Sequence, residues 1–161
     1  MLIVSDTSPI SNLILIKQLE ILQSLYQSIV VPPKVHSEIL ALTQFGEDIS
    51  EYLDADWIQI KEPSNTQLVT QLLEKLDEGE AEAIALAKEI EADYLLIDER
   101  KGWRIADSMG IQSIGLIGIL LKAKREGIIP NVMSVVDKLR FEAEFWIKDS
   151  FYEEIRKLAG E

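Results

Sequence analysis

The stretch Leu2–Ile10, LIVSDTSPI, is an apolar run that stops at an aspartate and turns at once into Thr-Ser-Pro. Leu2, Ile3 and Val4 read as the interior of a strand buried on both faces. Asp6 then stands at the carboxyl end of that strand, and Pro9 suits a turn or the first turn of a helix. Two roles compete at this point. Asp6, Thr7 or Ser8 could cap the following helix, or Asp6 could hold a metal ion.

The same alternation continues along the chain. Further short apolar strands are predicted at Ser28–Val31, Trp57–Ile60, Tyr94–Ile97 and Gln112–Gly115, with the first at Leu2–Ser5. Between them lie helical patterns at Ser11–Tyr26 (with room for a break), Pro33–Leu42, Glu47–Leu53, Thr66–Leu76, Glu80–Ile90, Trp103–Met109 and Leu116–Arg125. Two more, Asn131–Arg140 and Ser150–Leu158, form a helical extension over about residues 131–161. Strands alternating with helices indicate an α/β domain with a mostly parallel sheet, spanning residues 1–161 as one unit. Sheets of this kind place their chemistry outside the carboxyl ends of the strands. The aspartate at position 6 therefore prompts a search for other acids at that edge.

Composition narrows the chemistry. The chain has no cysteine and a single histidine, His36, which excludes thiolate sites, a cysteine nucleophile and a multi-histidine zinc site. Carboxylates, hydroxyls, lysines and arginines remain. No apolar run approaches the roughly 20 residues of a membrane span, so no membrane association is expected. The opening residues lack the pattern of a secretory signal, and a cytoplasmic protein is the expectation. The formal charge of −12 argues, taken alone, against nucleic acid, because phosphate neutralisation needs basic patches. Divalent cations at a carboxylate cluster, or basic residues gathered on one surface, would lift that objection.

Three further acids fit the search. In Ala92–Gly102, ADYLLIDERKG, an apolar strand again ends in an aspartate, Asp98. If its strand neighbours the first, the two backbones lie about 4.8 Å apart. In Leu76–Ile90, LDEGEAEAIALAKEI, a helix begins near Glu80, where its dipole favours a carboxylate. Glu80 falls on the side of Ala83, Ile84 and Ala87, and Glu82 nearer Glu89 on the solvent side, although the first turn is loose enough to keep Glu82 a candidate. In Val31–Leu42, VPPKVHSEILAL, Glu38 borders the stripe of Val35, Ile39 and Leu42. Clustered carboxylates repel one another and call for a cation. An all-oxygen set suits Mg²⁺ or Mn²⁺, which would polarise a phosphate and activate water for phosphodiester hydrolysis.

The motifs DTSPI, PPKVHSEIL, DEGEAEAIALA and YLLIDERKGWRIA, in this order, resemble PIN domains, the metal-dependent ribonucleases found widely as toxins of prokaryotic toxin–antitoxin pairs. The likeness extends through IGLIGILLKAKREGIIP and FWIKDSFYEEI, and GEAEAIALA resembles a VapC-like subgroup. It implies a three-layer α/β/α fold with a five-stranded sheet in the order 3-2-1-4-5. It carries the metal-binding and catalytic acids over to Asp6, Glu38, Glu80 and Asp98, with Glu82 kept as a further candidate. It also implies single-stranded RNA as substrate, products with a 5′-phosphate and a 3′-hydroxyl, a homodimer and a cognate antitoxin. The chain departs from many relatives after Asp98, where Glu99 is followed by Arg100 rather than a further acid, which weighs against a full second metal site.

Thr7 and Ser8 are expected to bond a carboxylate, water or phosphate while serving the helix start. Arg100, Lys101 and Arg104 follow Asp98 and are candidates for RNA phosphates. Trp103, Phe145, Trp146 and Tyr152 could stack bases, cover a partner surface or fill the core. A catalytically silent binding module of the same fold is the alternative. A phosphatase of another doubly wound fold is a weaker one, since Asp6-Thr7-Ser8 lacks the Asp-x-Asp such an enzyme uses.

Overall fold

The computed structural model describes residues 1–161. In chain order the elements are β1 (Ile3–Ser5), α1 (Thr7–Leu15), α2 (Glu20–Tyr26), β2 (Ile29–Val31), α3 (Pro33–Leu40), a 3₁₀ segment (Ala41–Phe45), α4 (Ser50–Leu53) and β3 (Ile58–Ile60). They continue with α5 (Thr66–Leu72), α6 (Glu78–Glu89), β4 (Tyr94–Leu96), α7 (Arg100–Ser108), β5 (Ser113–Ile114), α8 (Leu116–Arg125), α9 (Met133–Glu142) and α10 (Asp149–Ala159). The five strands form one sheet in the order β3-β2-β1-β4-β5, every pair parallel. The central strand is the first one made.

Alternation along the strands explains the three layers. Ile3 and Leu96 face one core, shared with α1, α2, α8, α9 and α10, while Val4, Leu95 and Ile97 face a second core under α5, α6 and α7. Both faces are covered at the inner strands β1, β2 and β4, which is why these read as apolar runs, while the edge strand β3 carries Gln59 and an exposed Ile60. β1 aligns Ile3, Val4 and Ser5 with Tyr94, Leu95 and Leu96, so Asp6 and Asp98 leave the same edge of adjacent strands. The Asp6 amide donates to Leu96 O at 2.9 Å and fixes that register one residue further.

Several boundaries differ from the sequence reading, for local reasons. The first helix starts at Thr7 rather than Ser11, because Pro9 sits in its first turn, where no amide partner is needed. It ends before Lys17, whose φ of 57° is left-handed, and α2 restarts at Glu20. The expected helix at Glu47–Leu53 shrinks to Ser50–Leu53, since Gly46 at φ 80° closes the preceding 3₁₀ segment. α6 starts two residues early, at Glu78, because the Asp77 side chain caps it by accepting from Glu80 N at 2.9 Å. α7 begins at Arg100, three residues before Trp103, with Gly102 inside the helix rather than ahead of it.

Candidate metal centre

Four carboxylates stand at the carboxyl edge, each against a glycine or beside one that is. A methyl group at Gly79 of α6 would overlap the Glu38 carboxylate and come within 3.5 Å of Asp6 Oδ1. One at Gly102 of α7 would lie 2.8 Å from Glu80 Oε2, and one at Gly115 would lie 3.1 Å from Asp98 Oδ1. α3 packs across α6, which carries Glu38 from its own helix to the Gly79 face. The acids thus lie against three bare patches of backbone.

Asp6 stands at the N-cap position of α1, but its side chain makes no capping hydrogen bond there. It is buried, at 6% exposure, and so is Glu80, at 7%. Burial pushes the Asp6 carboxyl up to about 7, opposed by the Thr7 amide and reinforced by the negative charges of Asp77, Glu38 and Asp98. Glu80 is raised by burial first, then by its hydrogen bond and charge repulsion with Asp77 and by Asp6. Glu38 is raised by burial and by Asp77, with the Thr7 hydroxyl and Lys34 pulling the other way. No ion pair relieves this crowding. Lys34–Glu78, Lys124–Glu161, Arg140–Asp149 and Arg156–Glu153 all lie outside the four acids.

Asp98 is placed differently. Its Oδ2 accepts from the Ser8 hydroxyl at 2.9 Å and its Oδ1 from Leu116 N at 2.7 Å. Asn12 Nδ2 in turn donates to Ser8 Oγ at 3.0 Å and to Ser8 O at 2.9 Å. Burial raises its carboxyl, and the bonds from Leu116 and Ser8 lower it. The Ser8 hydroxyl thus bonds a carboxylate, that of Asp98. The Thr7 hydroxyl points toward Glu38 without making a well-formed bond.

Glu82 does not join the group. Its Oε1 accepts from Lys34 N at 3.1 Å, satisfying the first amide of α3 (Pro33 has none), and it is half-buried rather than on an open solvent face. α3 covers that side of α6, which periodicity in α6 alone cannot show. Arg100, Lys101 and Arg104 are exposed on α7 and make no ion pair with any of the four acids. His36 donates to or accepts from Tyr52 Oη at 2.7 Å and is not part of the site.

No three of the chain's Asp, Glu and His side chains are already closed into a ligand set. The donor chemistry nonetheless fits a hard divalent cation. Thr7 Oγ1, Glu38 Oε1 and Glu80 Oε2 are buried without a hydrogen-bond partner. Buried polar atoms are nearly always partnered, and here the orphans are oxygens crowded by like charges. Asp6, Glu38 and Glu80 would hold such an ion, with Asp98 held alongside. Asp77 belongs to the same field and was missed from the sequence. Its signal was there: an aspartate three residues before Glu80 is a cap pattern.

A family model described as PIN domain (DUF3368) matches residues 2–161. Solved structures also match. One is a PilT N-terminus domain protein from the hyperthermophilic archaeon Sulfolobus solfataricus, 24% identical, covering 76% of this chain and 93% of that one with a TM-score of 0.52. No curated protein matches.

Proposed function

The chain belongs to the PIN-domain family, whose members are typically nucleases using divalent metals, and from that premise we propose that it is a metal-dependent endoribonuclease acting on single-stranded RNA. The convergence of Asp6, Glu38 and Glu80 on the Gly79–Gly102 face of α6 and α7, with two of their oxygens buried and unpartnered, carries this reading. The chemistry such a site would supply with Mg²⁺ or Mn²⁺ is Lewis-acid polarisation of a phosphate and a bound water whose pKa is lowered toward neutrality. Asp6, Glu38 and Glu80 would hold the ion, directly or through water. Ser8 and the Leu116 amide keep Asp98 in one orientation. Arg100, Lys101 and Arg104 offer cations for neighbouring phosphates on the exposed side of α7. Hydrolysis leaves a 5′-phosphate and a 3′-hydroxyl.

A VapC-like toxin, working as a homodimer and held in check by a cognate antitoxin, is the biological setting we assign it, on the GEAEAIALA motif. A second reading, a silent binding module, is favoured by one observation: both oxygens of Asp98 are already committed to protein donors. Membership of the PIN family sets aside a phosphatase of a different fold.

The test is cleavage of a mixed single-stranded RNA with Mn²⁺, Mg²⁺ or EDTA, comparing wild type with Asp6→Asn. Metal-dependent cutting that the variant loses supports the nuclease. Intact RNA in every metal, with folded protein, supports the silent module.

A further inference from the structure

An apolar furrow leads away from Asp98. Trp103 of α7, Ile117 and Leu121 of α8, and Trp146, Phe151 and Leu158 of the tail line a cavity of about 430 Å³, with Asp98 in its wall. The size is that of a small-ligand site, roughly 300–1,000 Å³. Trp146 is 82% exposed and Leu158 63%, so large apolar side chains are held in water here. Through Trp146 the furrow joins a second cavity edged by Arg140 and Lys148, together with Glu144 and Asp149. Through Leu121 and Leu158 it joins a third edged by Lys124 and Arg125. Lys148 and Arg125 make no ion pair within the chain. Twelve of the 16 basic side chains make no ion pair, and two of them, Lys148 and Arg125, lie at opposite ends of this aromatic furrow.

We propose that this furrow binds the bases of a single-stranded RNA, stacked on Trp103, Trp146 and Phe151, and so delivers the strand to the carboxylates. The proposal rests on the ribonuclease reading and names the part of the strand that the site grips. Aromatic side chains between cations are what a polyanion with planar apolar faces requires: each base has a π-face to stack, and each phosphate needs a positive charge. A purely apolar partner would leave Lys148 and Arg125 without a counterpart, and the furrow would have no reason to open onto Asp98. Stacking accepts any base, so the furrow sets strandedness rather than sequence. A duplex cannot offer its base faces to Trp146.

Binding of a fluorescein-labelled single-stranded RNA is measured by anisotropy in EDTA, where no cleavage occurs, against an abasic strand of the same length and charge. We expect the abasic strand to bind at least about tenfold more weakly, Trp146→Ala to lose about tenfold on the RNA only, and Trp146→Phe to recover most of it. The exposure of Trp146 keeps these variants folded, which a thermal melt checks. Equal binding of the two strands, or unchanged RNA affinity in Trp146→Ala, overturns the proposal. Sedimentation in the same samples covers the protein-partner case: self-association lost in Trp146→Ala, with RNA affinity unchanged, makes the furrow an interface between copies and overturns it too. Cleavage of the same RNA in Mn²⁺ separates the two readings. Cutting with no effect of Trp146→Ala on binding sinks the furrow alone, and base-dependent binding without cutting sinks the nuclease alone.

Discussion

Gly79 of α6 lies against Glu38 of α3 so closely that the smallest side chain at position 79 would occupy the space of the Glu38 carboxylate. A glycine inside a helix costs up to about 1 kcal/mol relative to alanine and less in the first turn, so the position gives up some helix stability for room. The room is used by acids from two other elements, Glu38 and Asp6.

Gly79→Ala should therefore separate stability from function. The atom it meets is the end of a flexible side chain that already suffers like-charge repulsion, so Glu38 swings away and the fold survives. We expect an unchanged or slightly higher melting temperature, with Mn²⁺ affinity by calorimetry and RNA cleavage both down at least about tenfold. Unchanged Mn²⁺ binding in a folded variant would show that Glu38 holds no ion.

The metal-free protein should lose stability as pH rises. Asp6 titrates near 7 when folded and near its ordinary value when unfolded, so between those limits the folded state binds more protons. Stability then falls with rising pH across that window, by an amount on the order of a few kcal/mol if Asp6 acted alone. Glu80 and Glu38 shift the same way. Melts in EDTA from pH 5 to 8 should slope downward, Asp6→Asn should flatten the slope, and saturating Mn²⁺ should reduce it. A melt flat with pH in EDTA would contradict the crowding described at the site.

Glu80 and Glu82 share a helix turn and should behave oppositely. Glu80→Gln relieves the cluster and is expected to raise metal-free stability while removing Mn²⁺ binding. Glu82→Gln weakens the acceptor at Lys34 N and is expected to cost about 0.5–1 kcal/mol with cleavage intact. Denaturant melts and the RNA assay on the pair check both directions.

Glu161 closes the far end of the molecule. Its carboxylate accepts from Val132 N at 2.7 Å and Met133 N at 3.1 Å at the start of α9, and from Lys124 Nζ at 2.8 Å. An anion at a helix N-terminus is favoured by the helix dipole. Glu161→Ala should cost about 1–2 kcal/mol in a denaturant melt and leave Mn²⁺ affinity unaltered.

Much of this was legible because each layer repeats one signal. The runs at Leu2–Val4 and Tyr94–Ile97 are apolar on both faces and stop at acids, which places the strands, their parallel packing and two of the carboxylates. Glu38 and Glu80 were reachable from helical position. What sequence periodicity could not show is how one helix meets another. α3 crosses α6, and that contact puts Glu38 at Gly79 and turns Glu82 aside to Lys34 N. Gly79 reads as the residue ahead of a helix, whereas it and Gly102 are clearances inside helices. Asp77 was passed over as loop, and the exposure of Trp146 and Phe151 depends on how the tail lies on α8.

The central strand also sets a timetable. β1 leaves the ribosome first, yet its two neighbours lie about 25 and 90 residues downstream, at Val30 and Tyr94–Leu96. Closing loops of that length costs entropy that local helices do not. Asp6 is thus synthesised long before the sheet that orients it exists, and Asp98 arrives only with β4. A nascent chain shorter than this has the first carboxylate and none of the edge that gathers the other three.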